Sequence, residues 1–503
     1  MIHINKTKIF LMRLFYVSFF LIWGWIFLNV IYKSREDFKL PLLVLVSILL
    51  LIFLVFTSKI IDNFKNKLGS RAKEYIFLPI MLIMFFIQLM VGYRLSVNPS
   101  WDFGVVYRQA LELSNTSGPV KANIYFVQYP NNIGLLILLA YYFKLLSFWG
   151  ITNTLYFAIV LNIFFIDAAI IFLFLICKEI WNTKKAFLVL ILCFIFMPYY
   201  TEVPIFYTDT TSITFITAII YLYVIANKSE KAKKKTICFV FIGVLTALGF
   251  RLKATVAIIL VATIIHMIFR KDKFLNKVIY TLVIIIAFII SMFLSGFAIN
   301  SKLIISDYEK NRVQFPYTHW VMMGLQDVGF YNENDVQFTM ERGPYDKKKA
   351  ANIEVIEKRV NDYGFLGMAK HLTKKAAYTW GDGTYFAPHS LKLKPLVDTR
   401  LHKFVLPKGE YYYVFSYYSQ VYHLVILFLI LIVLYKKIKV STLEDTFLID
   451  ISVFGLLIFL LIWETISRYL FNFTPLLMII AIQGLDYIKS IPSINKILIL
   501  NRK

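Results

Sequence analysis

The sequence predicts an all-α polytopic membrane protein, and three observations carry that prediction. Of its 503 residues 59% are hydrophobic and 17% aromatic, with a mean hydropathy of +0.67, whereas about half the residues of a soluble domain are apolar. The apolar residues fall into runs of the length that crosses a bilayer, roughly 17 to 25. The 54 lysines and arginines exceed the 30 acids to give a formal charge of +24, and the lysines gather in short loops between the runs, where they act as topology signals. That placement argues against a nucleic-acid partner, which the charge alone would suggest in a soluble protein.

Taken in order, the spans fall near residues 10–32, 40–59, 75–92, 152–177, 186–205, 211–227, 236–250, 254–269, 278–299, 418–435, 447–465 and 469–487, about twelve transmembrane helices. The first follows a basic start and has no small-residue cleavage pattern after it, so it reads as an uncleaved span. A further apolar run, "NNIGLLILLAYYFKLLSFWG" at 131–150, is decided by loop charge. If it does not cross, the loops with Lys178, Lys184 and Lys185, "NKSEKAKKK", "RKDKFLNK", "KKIK" and the tail with Arg502 and Lys503 all share the side of the N-terminus, which is then the cytoplasm. If it crossed, all of them would lie outside. The run therefore reads as an interfacial helix on the outer face, and only the short outer loop "KSREDFK" runs mildly against the rule. The chain divides into two N-terminal helices (1–74), a membrane core with a first outer loop at 93–150 (75–299), a large outer region (300–417), and C-terminal helices with a short cytoplasmic tail (418–503). In the outer region "KKKAANIEVIEKRV" reads as a helix, and "DYG", "WGDGTY" and "LPKGEYY" as turns. The three cysteines, Cys177, Cys193 and Cys238, lie in or beside apolar runs, so disulfide stapling is not expected.

Ionisable groups at membrane depth are costly, so their placement is informative. Asp102 follows the third span in "PSWDFG", Asp209 lies in "PIFYTDTTS", Arg251 and Lys253 in "GFRLKAT", and Glu464 and Arg468 in "WETISRYLF". All fall near an outer boundary although they come from separate parts of the chain, the pattern of one site at the outer leaflet. Each also has a plainer reading: Asp102 and Asp209 as helix caps, Arg251 and Lys253 as contacts for lipid phosphates, Glu464 and Arg468 as an i,i+4 pair along a helix. Asp167 and Asp450 read as interhelical hydrogen-bonding groups. His319 and His389 lack metal-ligand spacing, and the chain has no phosphate loop, dinucleotide fingerprint, "HExxH" or "GxSxG".

In this order and on one face, the acid of "PSWDFG", the proline-containing "QYPNNIG" before the interfacial helix, the acid of "YTDTTS", the basic pair of "RLKAT" and the acid and arginine of "ETISRYL" resemble the membrane glycosyltransferases of the GT-C fold. That class contains protein O-mannosyltransferases, aminoarabinose transferases and oligosaccharyltransferases. The resemblance runs from about residue 75 onward, so the first two spans are extra, and Asp102 lacks the adjacent second acid of the mannosyltransferases. The stretches "FPYTHWVMMGL", "GFYNENDVQFT" and "TWGDGTY", with the Lys-, Ile- and Asn-rich composition, resemble members from Gram-positive bacteria.

The resemblance implies a sugar donor on a polyprenyl phosphate, a partner enzyme that makes it, and an extracytoplasmic glycan acceptor such as a cell-wall polysaccharide or teichoic acid. Transfer would be an inverting displacement in which a carboxylate takes the acceptor proton. On this reading Asp102 is the base, Asp209 orients the acceptor or a basic residue, Arg251, Lys253 and Arg468 hold the phosphate, Glu464 holds Arg468, and Tyr129 and Asp382 contact substrate. Members of the class differ in metal use, so a Mg²⁺ or Mn²⁺ ion held by Asp102 and Asp209 stays an open alternative. The competing function class is a polysaccharide or lipid transporter, which would place its ionisable residues nearer the bilayer midplane.

Overall fold

The computed structural model describes residues 6–63, 70–439 and 442–491. Its long helices are α1 (Lys6–Asp37), α2 (Leu40–Asn63), α3 (Ser70–Arg94), α4 (Trp101–Asn115), α5 (Ile133–Phe148), α6 (Thr154–Ile180), α7 (Thr183–Phe194), α8 (Ile213–Lys228), α9 (Ala232–Leu252), α10 (Ala257–Phe269), α11 (Phe274–Asn300), α12 (Tyr345–Trp380), α13 (Tyr412–Lys437), α14 (Phe447–Ile462) and α15 (Thr474–Ser490). Among the described residues ten helical segments are long and apolar enough to cross a membrane, and α14 and the 254–269 segment are shorter apolar helices. The expected all-α architecture is what the chain adopts. Its described β-structure is a two-residue parallel pair, Val120–Lys121 with Leu303–Ile304, which ties the 93–150 loop to the start of the large 300–417 region, and one isolated bridge between Val97 and Pro395.

The helices share two common ends. At one, lysines tie neighbours together: Lys8 donates to the Ile268 carbonyl at 2.7 Å, Lys228 pairs with Glu179 at 3.1 Å, Lys489 with Asp62 at 2.7 Å, and Lys185 with Asp486. Just inside it, Asp450 of α14 accepts from Lys437 of α13 at 2.7 Å and from Tyr16 of α1 at 2.8 Å, an interhelical role. A carboxylate is held there because each partner lies within hydrogen-bonding reach. The tail with Arg502 and Lys503 lies outside the described residues. The opposite end carries the 93–150 loop and the large 300–417 region, and is called the cleft end below.

Helix α5 is long enough with its preceding turn to cross, but its neighbours put both its ends at the cleft end. Near its start, Gly134 lies so close to the Arg251 carbonyl at the end of α9 that a Cβ would sit 2.1 Å from it. Further on, Tyr142 donates to the Phe157 carbonyl in the first turn of α6 at 3.1 Å, and the link from Phe148 to Thr154 is too short to return across a bilayer about 30 Å thick. The helix therefore lies across the cleft end with α4 packed along it; Tyr107 meets Phe143 at 5.5 Å between ring centroids.

The run at 186–205, read as one span, is broken. Helix α7 stops at Phe194, and Pro198 and Pro204 punctuate the short turns Pro198–Thr201 and Thr208–Thr211 that follow. Proline removes a backbone donor and clashes with the preceding turn. The carbonyls of Glu202, Val203 and Ile205 in this irregular stretch also accept from the Asn162 amide of α6 at 2.9 to 3.3 Å. This break carries Asp209 to the cleft. In the 300–417 region α12 covers the expected "KKKAANIEVIEKRV" helix and is kinked at Gly364, where φ is 54°, within the expected "DYG" turn.

Candidate active site

Asp102 opens α4, immediately after a strained corner. Trp101 holds φ at 40°, a left-handed conformation that costs a bulky residue of order 1–3 kcal/mol. Gly104 permits the corner, since a Cβ there would come 2.6 Å from the Pro99 carbonyl. Asp102 keeps an exposed surface although neighbouring groups surround it on most sides. Its Oδ2 accepts from the Tyr207 hydroxyl at 3.4 Å. The same hydroxyl lies 3.0 Å from Asn132 Oδ1, and the Asn132 amide donates to Tyr125. Removal from bulk water raises the pKa of Asp102, while Arg468, Tyr207 and Tyr125 oppose the rise.

Facing it is a buried triad. Asp209, 1% exposed, takes Lys253 on Oδ1 and Arg468 on Oδ2 at 3.0 Å. The Arg468 Nε–H is not aimed along that contact, so the attraction is Coulombic rather than a formed hydrogen bond. Arg468 also lies over the Trp101 and Tyr207 rings at 4.8 and 5.2 Å, and Lys253 over Tyr469 at 4.3 Å, contacts that favour the cationic forms. Burial pushes the Lys253 pKa down, and Asp209 opposes that shift. One acid offsets one of the two cations, leaving the triad with a net positive charge opposite Asp102.

Glu464 lies between α14 and the 3₁₀ turn Ser467–Phe473. Burial pushes its pKa up to about 7, and the Tyr469 hydroxyl donates to it at 3.4 Å. The expected Glu464–Arg468 pair does not form. The chain around Ile466 is extended (φ −157°, ψ 153°), so the i,i+4 spacing of a helix does not apply and Arg468 turns to Asp209. The 300–417 region braces this stretch: the Glu464 amide donates to the Trp320 carbonyl at 3.0 Å and that of Thr465 to the Gly329 carbonyl at 2.7 Å, while Trp320 stacks on Trp463. Lys375, fully buried on α12, donates to the Gly324 carbonyl at 2.6 Å. Tyr129 contacts Phe315 and Trp320; burial raises its pKa, and Tyr331, Asp102 and Glu464 nearby add to the rise.

Two expected site residues stand elsewhere. Arg251 points away from the triad, donating from Nη2 to the Met292 carbonyl at 2.9 Å and from Nε to Ser295 at 3.2 Å on α11. Asp382 is occupied by its own turn, accepting from the Thr384 and Phe386 amides and from Ser467 at 2.8 Å each; it reaches the site by anchoring the residue before Arg468. Residues without a sequence signal are Tyr207, Tyr125, Asn132 and Glu202. Glu202 is fully buried behind the triad with neither oxygen partnered by protein, and burial pushes its pKa up to about 8.

The donors do not suit a divalent ion as they stand. Both oxygens of Asp209 already face cations, and among the described residues no three His, Cys, Asp or Glu side chains come together.

A family profile described as "conserved hypothetical integral membrane protein" matches residues 2–488. The chain belongs to that family. It is a multi-pass membrane protein. No curated protein matches it. Among solved structures it is similar to the archaeal oligosaccharyltransferase AglB from Archaeoglobus fulgidus, in complex with an inhibitory peptide and a dolichol-phosphate, at 11% identity and a TM-score of 0.37 over 84% of this chain and 52% of that one. This chain thus spans about half the length of AglB. A likeness that loose transfers no residue roles.

Proposed function

We propose that the protein is a glycosyltransferase that moves a sugar from a polyprenyl-phosphate donor to a hydroxyl of an extracytoplasmic acceptor, with inversion at the anomeric carbon. One observation carries this reading: an exposed carboxylate, Asp102, faces a buried cation pair, Lys253 and Arg468, held by Asp209. The resemblance of the motifs to GT-C enzymes supports it, and so does the clustering of basic loops at the far end of the bundle, which favours the cytoplasm for that end. A cleft outside the cytoplasm has no supply of nucleotide sugars, whereas a lipid-carried sugar can enter from the side between helices.

The acceptor hydroxyl gives its proton to Asp102 as its oxygen bonds to the anomeric carbon. The bond from that carbon to the phosphate oxygen breaks on the opposite face, and its electron pair leaves with the polyprenyl phosphate. A phosphate leaving group needs no proton but gains charge, which Lys253 and Arg468 stabilise in surroundings of low dielectric. The proton on Asp102, whose side chain is exposed, returns to water. No step calls on a metal. Tyr129 and the Trp320 wall provide aromatic faces for the sugar, and the acceptor this reading favours is a cell-wall polysaccharide or teichoic acid.

The test is transfer by purified protein from a radiolabelled polyprenyl-phosphate sugar. Asp102→Asn should lower the rate about 10²- to 10⁴-fold, the usual share of a general base, with unchanged yield of folded protein. Wild-type rates in that variant would remove Asp102 from the mechanism.

A further inference from the structure

A cavity of about 280 Å³ lies on the other side of the Tyr129–Asn132 turn from Asp102, lined by Pro130, Ile133, Gly134, Arg251, Gly296 and Lys310 among others. None of Asp102, Asp209, Lys253, Glu464 or Arg468 lines it, so a group held here is not at the reacting centre.

No acid lines the wall, and Arg251 supplies its uncompensated cation, since the ammonium of Lys310 pairs with Asp307 at 3.1 Å. Arg251 bonds only to neutral groups there, Ser295 and the Met292 carbonyl. The first residues of α5, Ile133 and Gly134, form part of the wall, so the positive end of that helix is directed to the same space. Room for a ligand beside the guanidinium depends on Gly296, where a Cβ would come 3.2 Å from Arg251 Nη2. The floor belongs to α11, whose approach to the cavity is apolar and uncovered: Phe293 is 74% exposed, Phe297 71% and Leu294 60%. An anion that carries hydrocarbon fits both halves of this surface, with its head on Arg251 and its chains along α11.

We infer that this cavity binds the phosphate head of an anionic bilayer phospholipid, at a site separate from the donor cleft. The bound head clamps α5 to α11 and so fixes the turn that delivers Asn132 to Tyr207 and Asp102.

The test reconstitutes the protein in nanodiscs of phosphatidylcholine with phosphatidylglycerol, releases it into mild detergent, and counts retained lipid by native mass spectrometry. Wild type should keep phosphatidylglycerol in preference to phosphatidylcholine. Arg251→Gln should keep about tenfold less, the loss of one charge-assisted contact. Gly296→Val retains every charge but fills the space, and should lose the lipid as well; thermal unfolding of each variant in the same detergent shows that it is folded. Equal retention by folded Arg251→Gln or Gly296→Val overturns the inference. So does displacement of the lipid by millimolar inorganic phosphate, which would mark a free-anion site, or by a short polyprenyl phosphate, which would mark a donor route. Asp102→Asn should retain the lipid fully, so loss of the catalytic reading and loss of this one give different results.

Discussion

Replacing Asp209 with asparagine is expected to cost more stability than any other single change in the cleft. The wild-type side chain is 1% exposed and holds Arg468 at 3.0 Å on one oxygen and Lys253 on the other. Asparagine keeps the volume and removes the charge, so two cations would stand buried without an anion. Breaking a buried pair by removing one partner costs on the order of 3–5 kcal/mol. The molecule can relieve part of that by losing a proton from Lys253, whose pKa burial already depresses. A lysine whose folded pKa is lowered binds fewer protons folded than unfolded, so stability rises with pH until the unfolded pKa, about 10.4, is passed. Asp209→Asn should therefore be destabilised by on the order of 3 kcal/mol at pH 7 and recover part of this at pH 9. The double variant Asp209→Asn with Lys253→Gln should lose less than the sum of the single changes, by about 1–3 kcal/mol. The measurement is thermal unfolding in detergent, followed by tryptophan fluorescence at both pH values. Additive losses with no pH dependence would show that the three groups do not share charge, and the basis for a phosphate site opposite Asp102 would fall with them.

Three further outcomes follow from the same geometry. The acid limb of the transfer rate should lie above the ordinary aspartate range, since the base must be ionised and its pKa is raised, and Tyr207→Phe, which removes a donor that lowers that pKa, should move the limb to higher pH; an unmoved limb in a pH–rate profile would separate Tyr207 from Asp102. Gly104→Ala should lower both activity and melting temperature, because its Cβ would press on the Pro99 backbone at 2.6 Å, an overpacking cost of about 1–3 kcal/mol; wild-type values would mean that the corner adjusts freely. Chelation with EDTA should leave the rate unchanged, because the Asp209 oxygens already face Lys253 and Arg468; loss of activity restored by added Mg²⁺ or Mn²⁺ would show that those cations give way to a metal.

What could be read from the chain differs from what could not in a physical way. Hydropathy and loop charge act over whole helices, so the membrane class and the two-ended bundle were legible. The position of α5 was accessible too, because moving it across would have reversed every basic loop after it. Side-chain direction was not legible, since it turns on one or two backbone angles. Arg251 and Lys253 are two residues apart and look like one basic pair in "RLKAT". Helix α9 ends at Leu252, and Lys253 is extended with φ −153° and ψ 125°, so the two side chains leave on different sides of the helix end, one to α11 and the other to Asp209. The same holds for Glu464 and Arg468, whose spacing matches a helix that the extended Ile466 interrupts. Tyr207, Tyr125 and Asn132 carried no signal because tyrosines are abundant in this chain, 32 in all, and only the proline-broken segment before Asp209 and the turn before α5 bring these three to one carboxylate. A charged motif at a helix end therefore locates a site to within a turn, while the backbone angle beyond that end decides which cation enters the cleft and which one turns to α11.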